Sequence, residues 1–133
     1  MAYEYLRSQI EQYFTTQWAA TTPIEYENVP YVPVPGTSWV CLKIVPNFSE
    51  IAALGGSSNP KFFRYHGFVT VDIRTPQDVG TKIMMDYADT VTAIFRGVEL
   101  NGILFQDMHV KKMNEEDWTR MFLSFEYQYN ECA

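Results

Sequence analysis

Hydrophobic side chains recur every three or four positions at the start of the chain, at Tyr3, Leu6, Ile10, Tyr13, Phe14 and Trp18, with Arg7, Gln9, Glu11 and Gln12 between them. That spacing predicts one amphipathic helix, ended by Thr21, Thr22 and Pro23. Ile24 to Glu27 reads as a short extended piece. The next stretch holds Pro30, Pro33, Pro35 and Gly36. Each proline fixes φ and lacks a backbone donor, which rules out helix and disfavours a central strand, so a stiff extended connector is expected. Trp39 to Val45 is too apolar to alternate strictly, as expected of a strand covered on both faces, and Pro46 is expected to stop it.

Asn47 to Lys61 has loop chemistry in its second half, with Gly55, Gly56, Ser57, Ser58, Asn59 and Pro60. Its first half carries Phe48, Ile51, Ala52, Ala53 and Leu54. This apolar patch suits either a short helix folded back on its own sheet or insertion against a neighbouring subunit. Phe62 to Thr75 then alternates, with Phe63, Tyr65, Gly67, Val69, Val71 and Ile73 on one face and Arg64, His66, Thr70, Asp72 and Arg74 on the other; Phe68 is the exception. Asp78 caps a second helix over Val79 to Phe95, whose stripe is Met84, Tyr87, Ala88, Val91, Ile94 and Phe95, and Gly97 closes it.

Val98 to Leu100 is short, Asn101-Gly102 is a tight-turn pair, and Ile103 to Lys112 is extended. Asn114 to Asp117 turns the chain into Trp118 to Tyr129, where Met121, Leu123, Phe125, Tyr127 and Tyr129 oppose Phe122, Ser124, Glu126 and Gln128. The main order is helix, strand, strand, helix, strand, strand. It predicts an α+β sandwich in a single domain over residues 1–133, with a mixed, mostly antiparallel sheet of about four strands and two helices packed on it.

Composition sharpens this picture. Hydrophobic residues make up 47% of the 133, and aromatics include nine Phe, nine Tyr and three Trp, against 20% charged. The apolar supply exceeds what one small core needs, which suggests subunit contacts. The formal charge of −6 argues against a face that grips nucleic acid through its phosphates. Two cysteines, Cys41 and Cys132, make no disulfide framework, and reduced thiols in a cytosolic setting are expected. No secretory leader or membrane span is expected.

Candidate chemistry is sparse. Cys41, His66, His109 and Cys132 lack paired metal-ligand spacing, so no metal is expected. Gly55-Gly56-Ser57-Ser58 has no following Lys-Ser/Thr and reads as a loop tip rather than a phosphate cradle. No Gly-x-Ser-x-Gly occurs, and Glu115-Glu116-Asp117 reads as a solvated turn. Neither a catalytic residue nor a cofactor is expected.

Three stretches carry a resemblance. "YENVPYVPVPGTSWVCLKIVP" (Tyr26 to Pro46), "ALGG" (Ala53 to Gly56) and "RYHGFVTVDIRTP" (Arg64 to Pro76), in this order after a short helix, resemble the tail terminator (tail completion) proteins of long-tailed bacteriophages. The landmarks span residues 20–97. The resemblance implies a tail-terminator-like sandwich that assembles as a ring, six copies in that family, to cap the finished tail tube and offer a docking surface for the head. The implied partners are other copies of the chain, the tail tube protein and a head-side connector or stopper; DNA passes through the ring without specific binding, and the location is the head-proximal end of the virion tail. Phe48, Ile51, Leu54, Pro30, Pro33 and Pro35 are the expected inter-subunit contacts. The alternatives are another head-to-tail connector or stopper, or a small cytosolic α+β enzyme or ligand-binding domain with its site between the sheet and the Asn47 to Lys61 loop.

Overall fold

The computed structural model describes residues 2–19, 21–27, 29–32, 36–53, 62–76, 82–114 and 118–132. Helix α1 (Ala2–Trp18) is followed by strands β1 (Ile24–Tyr26), β2 (Trp39–Ala53) and β3 (Phe62–Pro76). Helix α2 (Lys82–Phe95) leads to β4 (Glu99–Leu100), β5 (Ile103–Asn114) and β6 (Trp118–Cys132).

The strands form one mixed sheet in the order β1-β2-β3-β6-β5-β4, curled as a half-barrel. The expected sandwich of about four strands is therefore corrected to six. The two extra strands are short pieces that alternation could not reveal. β1 pairs in parallel with Val40–Leu42, and β4 pairs with Ile103 and Leu104. Three residues or fewer show no period, and their pairing is decided by neighbours distant in sequence.

A second correction concerns Pro46, which does not end its strand. β2 continues to Ala53, so residues 47–53, the first half of the expected Asn47 to Lys61 loop, are strand rather than loop or helix, and residues 54–61 lie outside the described residues. Pro46 faces Gly67 on β3, and the register shifts between Pro46 and Phe48. A missing donor is tolerated there because β1 leaves β2 after Leu42, so Pro46 lies where β2 has one described neighbour. The expected helix start at Val79 with its cap Asp78, the Gly-Ser-Ser loop tip and the Glu115 to Asp117 turn lie outside the described residues.

Alternation sorts the sheet into two faces. Val40 and Leu42 of β2, Val69, Val71 and Ile73 of β3, and Met121, Leu123, Phe125 and Tyr127 of β6 are all buried in one core with both helices. From α1 it takes Leu6, Ile10, Phe14 and Trp18, and from α2 Met84, Val91 and Phe95. Phe95 sits at the centre. Its ring stacks on Phe14 at 5.7 Å and meets Phe105 and Phe125 at 5.0 and 5.2 Å.

The helix ends obey local chemistry. Ala19 takes φ 54° while its N–H bonds the Thr15 carbonyl, and the Thr21 hydroxyl donates to the Trp18 carbonyl at 2.6 Å. Asn101 and Gly102 both have positive φ, the requirement of the two-residue hairpin turn that their sequence announces.

Candidate functional site

Among the described residues, the distal half of β2 is paired along one edge alone. Val40 to Leu42 have strand neighbours on both sides, β1 and β3. From Lys43 to Ala53 the strand pairs with β3, and no described strand lies along its other edge. Unpaired strand edges present rows of donors and acceptors that invite another strand.

Beside this edge, on the helix-bearing face, lies a cleft of about 250 Å³ lined by Tyr3, Leu6, Leu42, Ile44, Pro46 and Tyr127, with Arg7, Glu11 and Glu27 at its rim. Three observations explain its form. α1 turns Leu6 and Tyr3 toward the sheet one turn apart. Gly67 leaves room for the Tyr127 ring, since a Cβ there would stand 2.6 Å from the ring carbon that bears the hydroxyl and 2.5 Å from the Val45 carbonyl oxygen. Arg7 is engaged by Glu4 and Glu11, while Glu27 is exposed and makes no ion pair among the described residues. The rim is thus net acidic.

On the opposite face, Phe48 is half-exposed and stacks on His66, ring centres 4.4 Å apart. His66 Nε2 lies 3.0 Å from Glu50 Oε1, and Arg64 Nε donates to Asn130 Oδ1 at 3.1 Å. At the other end of the same face, Trp39 is the anchor of the proline-bearing connector. Tyr31 packs on it at 5.7 Å, Trp118 at 4.3 Å edge-on, and the Arg74 guanidinium at 5.5 Å. Its indole N–H donates to Glu25 at 3.3 Å. Next to it Asp72, 3% exposed, receives Arg120 at 2.7 Å and Arg74 at 3.1 Å. One carboxylate held by two arginines ties β3 to β6 at this end.

Of the six expected contact residues, only Phe48 and Pro30 have described side chains. Phe48 and Pro30 are exposed, Ile51 is on β2 with its side chain undescribed, and Leu54, Pro33 and Pro35 lie outside the described residues. Trp39, where the connector packs, and Phe48 are nine residues apart along β2, roughly 30 Å at strand rise. The cleft residues Leu42, Ile44, Tyr127 and Glu27 were not among the expected contacts, and no local sequence signal marks them, because α1, β2 and β6 bring them together from distant parts of the chain.

Among the described residues no group of three His, Cys, Asp or Glu could hold a metal ion, and no helix is long and apolar enough to cross a membrane. Cys41 is buried, and burial, with Glu25 adding, pushes its thiol up to about 11, so it is protonated near neutral pH.

No family model matches the chain, and no curated protein matches it in sequence. Seventeen solved chains are similar in fold. One, whose name states no function, superposes with a TM-score of 0.69 across 96% of this chain and 95% of its own, at 15% identity. That similarity is one of fold.

Proposed function

We propose that this chain is a structural subunit of a long-tailed phage that closes the completed tail tube as a ring and presents a surface to the head-side connector. It acts by assembly and shape rather than by turnover. The observation that carries the reading is the edge of β2 from Lys43 to Ala53, open among the described residues and flanked by an apolar cleft on one face and by exposed Phe48 on the other. A strand edge of this length, left open in a free protein, is a liability that assembly removes. Copies joined head to tail close when their rotation divides a full turn.

Two further features suit the reading. The motifs from Tyr26 to Pro76 resemble tail terminators, and the charge of −6 fits a channel through which DNA moves without adhering. The test is mass by light scattering combined with negative-stain imaging, alone and with purified tail tubes. Rings on their own or at tube ends are expected. A monomer that leaves tube ends bare in both conditions rejects the proposal.

A further inference from the structure

The second edge of the sheet is also half open, at the opposite end. β4 covers β5 at Ile103 and Leu104, and the Phe105 N–H still bonds Val98, but Gln106 to Asn114 pair with β6 alone among the described residues. The four long strands β2, β3, β6 and β5 alternate in direction. The free half of β5 in one copy can therefore lie antiparallel to the free half of β2 in the next, with the helices of both copies on the same side. The stagger between the two free halves means that repetition tilts the strands to the closure axis, as strands tilt in a barrel.

The side chains at the two edges match. On the helix-bearing face of β5, Val110 is 52% exposed and Lys112 is exposed, without an ion pair among the described residues. On the same face of β2 is the apolar cleft of Leu6, Leu42, Ile44 and Pro46 with Glu11 and Glu27 at its rim. Seating Val110 over the Ile44 to Pro46 end brings Lys112, two residues on and about 7 Å nearer to β1, to Glu27. Glu27 directly follows β1, whose end would abut the incoming strand.

We infer that the β5 edge, through Val110 and Lys112, pairs with the β2 edge and cleft of a second copy, so that one sheet continues from subunit to subunit. This rests on the assembly reading above and names its contact. The experiment uses the full chain with Lys112→Glu, Glu27→Lys and both together, following mass against concentration by light scattering. Each single variant should weaken association about tenfold, and the double variant should recover most of it. Both positions are exposed, and recovery in the double variant excludes misfolding as the cause. Single variants that assemble like the parent, or a double variant no better than the singles, overturn the inference. The two ideas fail separately: rings indifferent to the charge swap keep the ring and lose this contact, whereas open filaments or pairs restored by the swap keep the contact and lose the ring.

Discussion

Gly67 is the side-chain-free position on which the cleft depends. The carbonyl oxygen of Val45 and the Tyr127 ring both occupy the space a methyl group would need, and the carbonyl cannot rotate away. Gly67→Ala should cost about 2 kcal/mol or more in urea denaturation. Adding Tyr127→Phe should not restore it, because the backbone clash remains. Two buried groups contribute to stability at alkaline pH. Burial raises Cys41 from 9.0 to about 11 and Tyr127 from 10.0 to about 12. Each holds its proton more tightly folded than unfolded. The stabilisation is therefore complete below pH 9 and is lost as pH rises through these values. The thermal midpoint should stay level with respect to these groups up to about pH 9 and then fall, and Tyr127→Phe should remove the upper part of the fall.

Helices and strands are joined at a few points whose loss is diagnostic. Phe95, at the end of α2, is fully buried and touches α1, β5 and β6 through aromatic rings. Phe95→Ala should lower stability by about 4 kcal/mol, read from the denaturant midpoint with an unchanged slope. Asp72 joins strands rather than layers. Asp72→Ala leaves Arg74 and Arg120 facing each other without their shared carboxylate, and should cost about 3 kcal/mol in the same measurement. A cost under about 0.5 kcal/mol would show that both arginines turn out to solvent.

Across the entire protein, the proposed assembly would engage the two edges left half open among the described residues and the proline-bearing connector. Pro30, Pro33 and Pro35 restrict the unfolded and unassembled chain, so less entropy remains to be lost when the connector is held. Replacing all three by alanine should weaken association about tenfold or more while leaving the far-ultraviolet spectrum unchanged. An oligomer mass identical to the parent's at every concentration would rule the connector out as an assembly element. The difference in tryptophan fluorescence between the protein and its Trp39→Phe variant, which isolates the ring that Tyr31 packs on, tells whether the connector has detached.

Both helices, the long strands β3, β5 and β6, the first half of β2 and the Asn101-Gly102 turn were legible in the chain, because periods of 3.6 and 2 and the φ needs of turn residues are local properties. Leu6, Ile10, Phe14 and Trp18 on α1 and Val69, Val71 and Ile73 on β3 announced their buried faces by spacing alone. The tertiary structure decided what depends on distant neighbours. It recruited Ile24–Tyr26 and Glu99–Leu100 as strands, carried β2 through Pro46, and set Phe48 opposite His66 on β3. It alone set the open halves of β2 and β5 at opposite ends of the sheet. A proline or a three-residue segment does not settle its own pairing; the strand beside it supplies or withholds the hydrogen-bond partner, and that strand is set by the fold.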